Sequence, residues 1–72
     1  MPNRNDRMMA DAREVLQERP EELDLSTFVE ILNKRTAFLG RTIGQVTKIA
    51  MAAVQAEGRT TNGLTIRNAK NA

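Results

Sequence analysis

Glu14 and Glu18 stand four residues apart, and Glu21, Glu22 and Asp24 follow in the next short stretch. Paired carboxylates can do acid–base work, but only where a desolvated cleft drives their pKa values apart. Nothing around these five predicts a cleft; they read as solvated charges on a helix face and at a junction. They also lack the ligand spacing of a calcium loop. Histidine and cysteine are both missing from the chain. Their absence removes the commonest general base, thiolate nucleophiles and the usual nitrogen and sulfur ligands of zinc. Ser26, the sole serine, has no imidazole to activate it and reads as a helix cap. Gly40 and Gly44 are not followed by the Gly-Lys-Ser/Thr of a phosphate loop. The expectation is a protein that binds rather than catalyses, with no cofactor, no metal and no small-molecule substrate.

Seventy-two residues make at most one small domain. A chain of that size buries only about 60% of its unfolded surface. With disulfides and metals excluded, close helix packing and self-association are the remaining sources of stability. Phe28 and Phe38 are the only aromatics. Residues 1–10 contain Asp6 and lack an apolar core, so no secretory leader is expected. The longest uncharged run, Ile49 to Ala56, falls far short of the roughly 20 apolar residues that span a bilayer. A soluble, intracellular protein, or one held within an assembled particle, is expected, with no membrane partner.

Charge is divided along the chain. In residues 1–33, four arginines against eight carboxylates leave −4; in residues 34–72, seven cations against Glu57 leave +6. Such a chain can fold its halves together, meet another copy head to tail, or offer its basic half to phosphates.

Three helices must position these groups. Met8, Met9, Ala12, Val15 and Leu16 fall on one face of a helix over about 5–19, capped by Asn3 or Asn5 and stopped by Pro20. Leu25, Phe28, Val29, Leu32 and Leu39 predict a second helix over 25–39 behind Asp24 or Ser26, its stripe interrupted by Arg35. Gly40 suits a left-handed C-terminal residue. Thr42 and Gln45 have capping-box spacing and open a third helix over 42–57, with Gly58 beyond it. The expected fold is therefore all-α: a helical domain over 1–58, then a basic extended tail over 59–72, flexible or ordered by a partner. Asn62-Gly63 is a hairpin signal within that tail, but an isolated two-stranded hairpin is marginal in water.

From Leu32 to Ile49, the order helix, glycine, short turn, helix resembles the helix-turn-helix pattern of bacterial regulators. Gly40 would occupy the turn, with Val46 and Ile49 on the buried side of the second helix. The resemblance implies that Thr42, Gln45 and Lys48 face the major groove, where glutamine can read adenine and lysine guanine. Arg59 and Arg67, around Asn62-Gly63, would form a small wing on the phosphates. Arg35 and Arg41 are charged where that pattern usually has apolar residues. A small DNA-binding regulator is the alternative function.

The leading function is a structural or interaction subunit that self-associates or docks into a larger assembly, for example a virus particle. Residues such as Leu16, Phe28, Leu32, Phe38 and Ile49 are too many for two thin helices and barely enough for three, so burial against a partner would shift the balance. The expected contact is Phe38, Ile43, Val46, Ile49, Ala50, Ala53 and Val54. Opposite charge on the two halves favours head-to-tail contacts.

Overall fold

Asn3 lies in extended backbone, and its side-chain oxygen accepts from the Asp6 N–H at 2.9 Å. The Asp6 carboxylate in turn accepts from the Asn3 N–H at 3.4 Å. This reciprocal cap satisfies two of the four orphan donors at a helix start. It opens helix α1, Arg4–Gln17. The computed structural model describes residues 3–68. After α1 come strand β1 (Leu23–Asp24), helix α2 (Leu25–Asn33), a 3-10 turn (Thr36–Phe38) and helix α3 (Ile43–Ala56). Strands β2 (Arg59–Asn62) and β3 (Thr65–Asn68) follow.

One core joins these elements. Helix α1 contributes Met8, Ala12, Val15 and Leu16, and α2 contributes Phe28 and Leu32. Phe38 enters from the 3-10 turn, Val46, Ala50, Ala53 and Val54 from α3, and Ile66 from β3. Helices α1 and α3 run side by side with their starts together. Asn5 and Met8 line one groove with Arg41 and Gln45 at one end, and Arg13 meets Glu57 at the other.

The all-α expectation is corrected: the fold is mixed α/β, with three helices and a three-stranded antiparallel sheet in the order β1-β3-β2. The extended tail is instead a hairpin inside the fold, although residues 69–72 of that expected tail lie outside the described residues. Two strands alone would be marginal. Here β1 supplies a third, pairing Leu23 with Ile66, which also pairs with Thr61 of β2. Ile66 has no solvent exposure, so the hairpin contributes to the core rather than trailing from it. The Asn-Gly signal is also displaced by one residue. The ladder closes at Asn62↔Thr65, leaving Gly63-Leu64 as the connection. Gly63 takes φ 66°, and among the described residues no non-glycine residue has positive φ. That matches a type II′ connection, in which glycine fills the first central position.

The second helix stops at Asn33, not at Leu39. Arg35 is extended (φ −85°, ψ 147°), and its guanidinium meets Asp11 of α1 at 3.0 Å. The apolar spacing persisted past the true end because the 3-10 turn brings Phe38 into the same core. Helix α1 likewise stops at Gln17, two residues early, where the carbonyl of Leu16 and those of Arg19 and Glu21 just beyond accept from another side chain, described below.

Candidate nucleic-acid interface

Helix α3 is locked on one side and bare on the other. Val46, Ala50, Ala53 and Val54 are buried, whereas Gly44, Gln45, Lys48 and Gln55 are exposed. Thr42 and Gln45 form the expected capping box: Thr42 Oγ1 accepts from the Gln45 N–H at 3.2 Å, and the Gln45 carboxamide oxygen accepts from the Thr42 N–H at 3.4 Å. Both side chains are thus partly committed to starting the helix. The Gln45 NH₂ group has no hydrogen bond among the described residues and keeps its two donors.

Between the start of α1 and the outer side of α3 lies an open groove of about 400 Å³. Asn5 and Met8 line it from α1, with Arg41, Gln45, Lys48 and Ile49 opposite; no carboxylate takes part. Arg41 is half-buried, and its Nε has no hydrogen-bond partner among the described residues. Arg4 fastens the start of α1 to the loop before α3, donating to the carbonyl of Ala37 at 3.3 Å and to that of Leu39.

Folding rearranges the charge. Half of the ten described cations are matched: Arg13 with Glu57 at 2.7 Å, Arg35 with Asp11, Lys34 with Glu30 at 3.7 Å, Arg19 with Glu18 at 3.6 Å and Arg67 with Glu22 at 3.6 Å. The hydrogen bonds from Arg13 and Gln17 hold the Glu57 carboxyl below the ordinary carboxylate range. Asp11 accepts from the Arg35 guanidinium and strengthens its hold on its proton. Arg7, Arg41 and Lys48 have no acidic partner among the described residues. Two of these three, Arg41 and Lys48, belong to the basic half of the sequence and flank the start of α3, and Arg7 lies in the first half of α1.

Arg59 and Arg67, grouped on the sequence, have different positions. Arg59 is only 7% exposed. Its guanidinium donates to the carbonyls of Leu16 (3.3 Å), Arg19 (2.7 Å) and Glu21 (2.6 Å), tying β2 to the end of α1. It satisfies acceptors that a helix C-terminus leaves open; its Nε has no hydrogen-bond partner among the described residues but is buried, so it is not presented to a phosphate. Arg67 is exposed and meets Glu22 only at 3.6 Å, a surface pair of small energetic weight.

The residues expected at a protein contact divide as sharply. Phe38, Val46, Ala50, Ala53 and Val54 lie inside the chain's own core, and Ile49 is half-buried. Ile43, 59% exposed, faces out, as does Leu39 at 60%. The carboxylates that opened the search, Glu14, Glu18, Glu21, Glu22 and Asp24, are all exposed. Among the described residues no group of three or more metal-ligating side chains comes together, and no helix is long and apolar enough to cross a membrane.

Sequence reasoning missed Asn5, Met8 and Arg41 as neighbours of Lys48. One signal was available: Arg41 is charged directly after the turn glycine, where the helix-turn-helix pattern is usually apolar. No protein-family model, curated protein or solved structure matches the chain.

Proposed function

We propose that this is a non-enzymatic DNA-binding protein that sets the bare side of α3 into the major groove. The observation that carries the reading is the pairing of that bare side with Arg41 and Lys48, cations that no carboxylate among the described residues neutralises. A major groove about 12 Å wide admits one helix. Helix-turn-helix proteins enter it with the first residues of the second helix, while the first helix crosses the backbone. Here α2, the 3-10 turn and α3 provide those parts, and Gln45, Lys48 and Gln55 provide the donors. Arg67, exposed on the hairpin, can exchange its weak pair with Glu22 for a phosphate. Arg41, Lys48 and Arg7 supply the sequence-independent attraction. The test is affinity for duplex DNA at two salt concentrations. If about two or three phosphates are neutralised, binding weakens roughly 10–40-fold between 50 and 200 mM salt; no binding at low salt refutes the reading.

Self-association is the second reading. It rests on Leu39 and Ile43, large apolar side chains left outside at the entrance to α3. Light scattering over a concentration series tests it.

A further inference from the structure

Three of the four glycines explain themselves: Gly40, Gly58 and Gly63 all have positive φ, where other residues are strained. Gly44 does not. It sits in the first turn of α3 without a positive φ, where alanine would lose less backbone freedom on folding than glycine does. No internal packing requires it, since a Cβ placed there would meet only Thr42 Oγ1, at 3.9 Å, an ordinary contact. The residue is exposed, and Lys48 lies four positions on, along the same strip of helix surface. Arg41 precedes it by three.

We infer that Gly44 is a close-approach position, where the sugar–phosphate backbone of a DNA duplex passes against the α3 backbone too closely to admit a methyl group. The inference rests on the DNA-binding reading and adds a residue that makes no polar contact through a side chain. Lys48 and Arg41 draw the phosphodiester strand in, and the bare α-carbon sets how near it comes. Stability and binding then oppose each other at this one site. Alanine suits the helix better and limits the unfolded chain, yet its methyl group holds the strand away from both cations.

The decisive comparison is wild type against Gly44→Ala as full chains, with melting followed by circular dichroism and binding by anisotropy of a labelled mixed-sequence duplex at low salt. The variant is expected to melt about 2–6 °C higher and to bind at least tenfold more weakly. Higher melting with unchanged affinity would overturn the inference while leaving the DNA-binding reading intact. Lower melting would also overturn it, because alanine would then not fit the site. If the wild type itself fails to bind, the DNA-binding reading falls and takes this inference with it. A variant that loses self-association while keeping DNA affinity assigns the close approach to a second copy of the chain, and overturns the inference too.

Discussion

The guanidinium of Arg59 donates to the carbonyl of Arg19 at 2.7 Å, joining the first residue of the hairpin to the chain just past α1. Two further carbonyls, of Leu16 and Glu21, share the same cation. Hydrogen bonds to a charged group are strong, and buried acceptors stripped of their donor keep the desolvation penalty. Arg59→Met is expected to cost about 2–4 kcal/mol of stability, read as a lower urea midpoint. Arg59→Lys should recover only part, since one ammonium cannot span three carbonyls in fixed fork geometry. An unchanged midpoint for Arg59→Met would remove the structural role given to this residue.

Lys48→Ala and Arg41→Ala address the opposite end of the molecule. Each is expected to weaken DNA binding similarly on all sequences and to make the salt dependence shallower by about one unit of log–log slope. Melting should barely move for Lys48→Ala, because its side chain is exposed and makes no ion pair among the described residues. Equal slopes for variant and wild type would show that the duplex does not meet this end.

Glu57 connects pH to stability. Arg13 and Gln17 lower its pKa on folding, so the folded state binds its proton less readily than the unfolded chain does. The contribution is fully present above the ordinary carboxylate range and is lost as pH falls through the lower, folded value. Glu57→Gln should cost about 0.5–1 kcal/mol near neutrality, in keeping with a partly exposed pair. The gap between variant and wild type should close in acid. A gap that widened below pH 4 would contradict this assignment.

Val46 and Ile43 separate the core from the surface on one helix. Val46 is fully buried and Ile43 is 59% exposed. Val46→Asp should abolish the cooperative melting transition, since an unpaired buried carboxylate is among the most damaging changes available. Ile43→Asp should leave a folded protein. If Ile43→Asp also turned a self-associated form into monomer, the second reading would gain and the core assignment would stand.

Much of the helical frame was legible because each start carried a local signal. Thr42 with Gln45 is a capping box that depends on four consecutive residues, and α3 begins there. The stripe of Met8, Ala12, Val15 and Leu16 has a period that only one element satisfies. The sheet was not legible. Its central pairing joins Leu23 to Ile66 across forty-three positions, and a two-residue strand has no periodicity to detect. Arg59 misled for a related reason: its type suggests phosphate, but its role depends on α1 carbonyls that only the fold brings near. Thr42, Gln45 and Lys48 could be grouped from the sequence because they follow one another at three-residue spacing across the start of one helix. Arg41, Asn5 and Met8 escaped because the groove is made by two elements far apart in sequence.

Strand β3 is the last element described and also the middle of its sheet. Neither β1 nor β2 has a neighbour until residues 65 and 66 exist. During synthesis, then, the earlier strands must wait on the ribosome with unpaired edges and an open gap where Ile66 belongs. A chain halted after Gly58 lacks Ile66 and Arg59 together, so such a fragment should remain a loose, protease-sensitive collection of helices. Arrival of β3, rather than formation of any one helix, is the event expected to make this fold cooperative.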